Sequence, residues 1–187
     1  VAGKNTTTSY QAKTFIDATG DGDLAALCHV GFDKGRPSDG YTQPMSMIFK
    51  VGGIDFGKVI SYMRQNPEQF ILHKDYKQLD RYLAVSGFFD IVRLAKACGD
   101  FNIPRDRILF FQGLHPGEAF INTSRIIKLS GLSSHDQTIA ETEAARQVEE
   151  LLTFFRKYLP GFESSYLAAI ADVTGVRESR RIHGRYT

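Results

Sequence analysis

The amino-acid sequence predicts an α+β fold, a small antiparallel or mixed sheet covered by helices. Three observations carry this expectation. Two short apolar runs, 107–114 and 118–123, flank His115-Pro116-Gly117, which has the composition of a turn, and so read as an antiparallel hairpin. A third run, Met45-Ser46-Met47-Ile48-Phe49-Lys50-Val51, stops at Gly52-Gly53 and can pair with them. Farther on, Ile139, Val148, Leu151, Leu152, Phe155 and Leu159 recur at helical spacing, with Glu141, Glu143, Glu149 and Glu150 on the water side. A sheet covered by helices on one face buries both apolar surfaces in one core.

The elements follow in order. Residues 1–7 read as a strand end and a polar turn, and 8–18 as a strand with Tyr10, Ala12, Thr14 and Ile16 on one face. Phe15 to Leu27 reads as strand, tight turn and helix start, the helix running to about residue 30. Gly20 and Gly22 leave room for a ligand to approach the backbone, and Asp21 or Asp23 can cap the helix. Gly31, Gly35, Pro37, Gly40 and Pro44 make 31–44 a loop, as well suited to a lid as to a plain connector. A short helix over 55–65 has Asp55 as its cap, and 67–83 reads as one or two surface helices. Residues 85–98 read as a largely buried helix stopped by Gly99. A polar connector, 124–135, leads to the long helix, which opens near Asp136 and ends at Pro160-Gly161. A second short helix is expected over 162–170, then an extended, arginine-rich end over 172–187.

Composition narrows the function. A chain of 187 residues with 42% apolar and 24% charged content suits one globular domain. A formal charge of +2 gives no broad field for nucleic acid or an anionic membrane, so neither is expected as a partner. No apolar run approaches a membrane span and no secretory leader is visible, so a cytoplasmic protein is expected. The start at Val1 fits a piece of a longer chain. Cys28 and Cys98 sit apart among Ala and Leu and read as small buried side chains.

The turn after residue 16 carries Asp17, Asp21 and Asp23. Their charge disfavours a phosphate there, and the segment has neither a Gly-x-Gly-x-x-Gly fingerprint nor a P-loop. Hydroxyls, a ribose edge or a neutral ring suit it better. No histidine pair has zinc spacing and the acids do not complete a calcium loop, so no metal site is expected. The cluster Arg177, Arg180, Arg181 and Arg185 is the main candidate for polar chemistry, since guanidinium forks bind carboxylates and phosphates. Extended backbone would set Arg177, Ser179 and Arg181 on one face. The bland alternative is a solvated surface with Glu178 paired to a neighbour. His183 reads as a proton shuttle or an ordinary surface histidine, and Arg125 as a site residue or a structural ion pair.

Asp17-Ala18-Thr19-Gly20-Asp21-Gly22-Asp23-Leu24-Ala25 resembles the internal Ala-Thr-Gly segment of FAD-dependent oxidoreductases of the glutathione-reductase-like superfamily. Gly175-Val176-Arg177-Glu178-Ser179-Arg180-Arg181-Ile182 and Pro160-Gly161-Phe162-Glu163 resemble signatures of the same group, and Gln43-Pro44-Met45-Ser46 and Asn122-Thr123-Ser124-Arg125 fit its cap region. The group's Gly-rich strand–turn–helix is missing, so the resemblance implies an internal fragment. In that reading residues 1–23 and 175–187 are partial strands of a truncated FAD-binding domain, and 24–174 are a cap or substrate domain. The full enzyme would pass hydride between a small organic substrate and FAD, with the rest of the flavin domain as partner. Ala18, Thr19, Gly20 and Asp21 would lie along the cofactor; Arg177, Arg181 and Arg125 would face the ring or an acidic substrate. The fragment itself would hold FAD weakly or not at all, would be inactive, and would pair its exposed strand edges with each other or with a second copy. Two rival classes stand beside this. Asp17-x-Thr19-Gly20 after a strand also resembles the nucleophile segment of haloacid-dehalogenase-like, magnesium-dependent phosphatases, and a non-catalytic binding module is the third.

Overall fold

The computed structural model describes residues 5–71 and 83–186. Its elements run α1 (Asp23–Leu27), β1 (Phe32–Asp33), β2 (Phe49–Gly52), α2 (Phe56–Gln65), β3 (Ala84–Gly87), α3 (Phe89–Ala97), β4 (Ile108–Gln112), β5 (Ala119–Ile121), α4 (Ser134–Tyr158), β6 (Tyr166–Ile170) and β7 (Arg181–Ile182). Five strands form one antiparallel sheet in the order β3-β4-β5-β2-β6. β1 and β7 form a separate two-stranded ribbon. This is the expected α+β class with an antiparallel sheet.

The predicted hairpin is β4–β5, with Phe110 opposite Ile121 and Phe111 opposite Phe120. Gly117 takes φ +74 in its turn, a conformation that costs glycine little. β2 joins β5 on one side and β6 on the other. Alternation then sorts the side chains. Phe49, Val51, Val85, Ile108, Phe110, Ala119 and Ile121 are buried on one face. On the other, Phe111 and Phe120 remain partly exposed.

α4 covers the buried face. Ser133 caps it by accepting the Asp136 N–H, and Ala140, Ala144, Val148, Leu151, Leu152, Phe154 and Phe155 are buried. Phe155 stacks on Phe49 at 6.4 Å and meets Phe162 at 5.3 Å, which in turn reaches Phe110 at 5.5 Å. Helix and sheet thus share one aromatic seam. Two details of α4 differ from expectation: Ile139 is exposed, and Glu150 is largely covered because it pairs with Arg146. α2 begins as the sequence indicates, with the Asp55 carboxylate accepting the Lys58 N–H at 3.2 Å.

Several elements differ in kind. Residues 8–18 form no strand and are almost wholly exposed; among the described residues no strand pairs with them to supply the ladder that extended backbone requires. The loop 31–44 contains β1, paired with β7 through Phe32–Ile182 and Asp33–Arg181. The helix read over 85–98 divides. Ala84–Gly87 pairs with β4, the chain turns at Phe88 with φ 63, and α3 follows with Val92 and Ala95 buried and Leu94 exposed. Phe88 is held there by Tyr62 and Phe70, whose ring centroids lie 5.7 and 4.8 Å away. Residues 162–170 hold an edge strand rather than a helix, since β6 satisfies the outer edge of β2. Cys28 and Cys98 are exposed, each at the C-terminal cap of a helix. Of the surface helices read over 67–83, Pro67–Gln69 is one 3-10 turn, and residues 72–82 lie outside the described residues.

Candidate functional site

The turn at 17–25 is organised by Asp17 and Thr19. Asp17 Oδ1 accepts the Thr19 N–H at 2.9 Å and the Thr19 hydroxyl at 2.7 Å. Asp17 Oδ2 accepts the Ala25 N–H at 2.8 Å, and Thr19 Oγ1 accepts the Asp23 N–H at 2.9 Å. These bonds, led by the Thr19 hydroxyl, hold the Asp17 carboxyl below its ordinary pKa. The caps expected from Asp21 or Asp23 are therefore supplied from farther back, and Gly22 sits at the N-cap position with φ 65 and no side-chain cap. With the first-turn N–H groups occupied, the turn cannot cradle a phosphate. It can lie beside a hydroxyl or a neutral ring: a Cβ at Gly20 would meet nothing within 4 Å.

The C-terminal arginines serve different partners. Arg180 Nη1 donates to the Asp21 carbonyl at 2.8 Å and to Asp23 Oδ1 at 2.7 Å, and its guanidinium lies 5.4 Å from the Phe32 ring centroid. It ties the 17–25 turn to β7. Arg181 Nη1 donates to Glu178 Oε1 and its Nη2 to the Gly35 carbonyl, both at 2.8 Å. Glu178 Oε2 accepts the Gln43 N–H at 2.8 Å, anchoring the loop before β2. His183 Nε2 lies 3.2 Å from Asp33, on the ribbon.

Arg177 goes elsewhere. With Arg125 and Arg105 it lines a recess of about 310 Å³ walled by Gln43, Pro44, Met45, Ser46 and Ser124. The wall is built by hydroxyl and amide bonds. Ser124 Oγ donates to the Met47 carbonyl and accepts the Met47 N–H. Thr123 Oγ1 bonds the Leu109 backbone in the same two ways. Gln147, buried on α4, accepts the Arg125 N–H at 2.7 Å and donates to the Arg125 carbonyl at 3.1 Å. Met45 bridges Ile126 and Ser46 bridges Gly175. Arg125 is thus held on both sides of its backbone while its guanidinium lines the opening.

The segments 43–46, 122–125 and 175–182, far apart in sequence, meet at this recess. Arg177 and Arg125 come together there; Arg181 and the 17–21 turn do not line it. Pro160-Gly161-Phe162-Glu163 lies apart, its Gly161 carbonyl accepting the Asp55 N–H. Arg105 was not marked by any periodicity or spacing; only its place after Pro104 in a charged run, Arg105-Asp106-Arg107, sets it apart. Burial, and then the charges of Arg125, Arg177 and Arg107, push the Arg105 pKa down.

The whole chain, residues 1–187, matches the family described as FAD dependent oxidoreductase. The chain belongs to that family. Flavin-linked redox function follows as the class of its activity. Comparison with curated proteins and with solved structures gives no match. The phosphatase reading is not favoured for this oxidoreductase, because both Asp17 oxygens are occupied by the turn's own donors. Among the described residues no group of acids, histidines and cysteines could hold a metal ion. Among them too, no helix is long and apolar enough to cross a membrane.

Proposed function

We propose that this chain forms the substrate-facing part of a flavin-linked oxidoreductase, hydride passing between a small organic substrate and a flavin whose main binding unit lies outside these residues. The observation that carries the reading is the meeting of 43–46, 122–125 and 175–182 at one cationic recess, with Arg180 joining the same C-terminal segment to the open turn at Gly20. Bound FAD supplies two-electron chemistry at its ring. Ala18, Thr19, Gly20 and Asp21 flank it through backbone contacts and hold none of its phosphates, for the electrostatic reason already given. In this division residues 1–23 and 175–187 belong with the flavin unit and 24–174 form the cap; the Arg180–Asp23 pair at 2.7 Å supports it by joining the two flavin-side segments.

Arg125 and Arg177 set a positive potential at the recess, which favours negative charge on a substrate or a reduced ring. Arg181 acts at one remove: it fixes Glu178, which fixes Gln43 at the rim. The test is Gly20→Glu in the complete enzyme. The fold has room for the side chain, but its carboxylate would project toward the cofactor. Flavin content should fall about tenfold or more, about 1.4 kcal/mol of binding, with the circular dichroism unchanged. Full retention of flavin would overturn the reading.

A further inference from the structure

Two sets stand out among the described arginines. Arg36, Arg93, Arg107, Arg146, Arg180 and Arg181 each face a carboxylate at 2.5 to 2.8 Å. Arg105, Arg125 and Arg177 line one recess whose wall holds no acidic side chain. Among the described residues none of these three guanidinium groups has a hydrogen bond or an ion pair. The acids nearby are engaged elsewhere. Asp106 holds Arg107 through both oxygens, at 2.8 and 2.8 Å. Glu178 holds Arg181 and the Gln43 N–H. Glu143 holds Arg146 and the Gln147 amide.

Gathering three like charges, with Asp106 the neighbouring acid and that one bonded to Arg107, is costly, and more so where water is partly excluded. A fold that spends Thr123, Ser124 and Gln147 on fixing Arg125 into such a group keeps that cost for a ligand that relieves it. Burial first, and then the opposing charges of Arg125, Arg177 and Arg107, hold the Arg105 pKa down, with Asp106 acting the other way.

We propose that this recess is an anion site that takes a carboxylate of the substrate through the guanidinium groups of Arg105, Arg125 and Arg177, with Gln43 at its rim. Planar forks match a planar carboxylate in two-point geometry. A phosphate is better served by a nest of free backbone N–H groups. Here four of the wall's N–H groups are already spent: Met45 on the Ile126 carbonyl, Ser46 on Gly175, Gln43 on Glu178, Arg125 on Gln147. The inference depends on the flavin reading only for calling the anion a substrate.

The test uses the 187-residue chain without flavin, so failure of the flavin reading leaves it untouched. Succinate, benzoate, inorganic phosphate and neutral dimethyl succinate are titrated by calorimetry at fixed ionic strength. The expected result is binding of succinate or benzoate with Kd below about 1 mM, phosphate weaker, and no heat from the diester. Arg125→Gln and Arg177→Gln should each weaken binding about tenfold or more, since a charge-assisted pair is lost. Lys58→Gln, on an exposed pair with Glu163 that shares no lining residue with this recess, should leave it unchanged. Arg105→Lys keeps the charge, loses the fork, and should lower affinity without altering the melting temperature. The proposal is overturned if neither carboxylate binds at 10 Kd of that threshold (about 10 mM), if phosphate binds more tightly than both, or if the folded Arg125 and Arg177 variants bind as the parent does.

Discussion

Asp17 shows how much one side chain does here. Its carboxylate gathers the Thr19 and Ala25 N–H groups and the Thr19 hydroxyl, closing the turn that the sequence marks by its glycines. Its pKa is lowered in the folded chain, so it stabilises the fold above the ordinary carboxylate range and loses that effect as pH falls through the lowered value. Asp17→Ala should therefore lower the melting temperature at pH 7, and the gap from the parent should narrow steadily as pH drops below about 4. A gap independent of pH would show that the charge is not what matters. Gln147 is the second such residue. Gln147→Leu fits the buried site but strips partners from the Arg125 N–H and carbonyl. It should cost about 2–3 kcal/mol in denaturant titrations and weaken carboxylate binding at the recess. Arg125 and Arg177 were visible in sequence as arginines within recognisable segments. Arg105 was not, because nothing local distinguishes a guanidinium that has a carboxylate from one that lacks it.

At the scale of elements, the signals that proved sufficient are those with a short period. The cap of α2, the β4–β5 turn and the stripe on α4 all rest on side chains within a few positions of one another. Phe155 is the point where that stripe meets the sheet, stacked on Phe49 and packed on Phe162. Phe155→Ala should destabilise the chain by about 3–5 kcal/mol, read from the shift in its denaturation midpoint. Gly87 marks where the local signal misleads. A Cβ there would lie 2.2 Å from the Phe70 ring and 2.5 Å from the Gln69 carbonyl. Gly87→Ala should cost about 1–3 kcal/mol by overpacking, although it raises helix propensity in a segment whose apolar residues read as helical. β6 misleads in the same way: Tyr166-Leu167-Ala168-Ala169-Ile170 is exposed throughout, so no alternation betrays a strand, and only the free edge of β2 makes it one.

Over the whole molecule the chain is a helix-covered sheet to which the 17–25 turn is fastened from outside. α1 buries no residue of its own, and its tie to the rest runs through Arg180 and the β1–β7 ribbon. Arg180→Ala should speed proteolytic cleavage within residues 5–30 while the midpoint of the sheet-and-helix body stays unchanged. An unchanged cleavage rate would mean that the ribbon alone holds the turn. The α+β class, the long covering helix, the hairpin and the membership of a flavin family were determined by the sequence alone, since side-chain periodicity, turn chemistry and short motifs act within a few residues. The break at Phe88, the edge strand β6, the exposed cysteines and the meeting of Arg105, Arg125 and Arg177 were decided only by the tertiary structure. Each depends on a partner far along the chain, as when Gln43 finds Glu178 at a separation of 135 residues, and no local pattern encodes what a distant segment will bring.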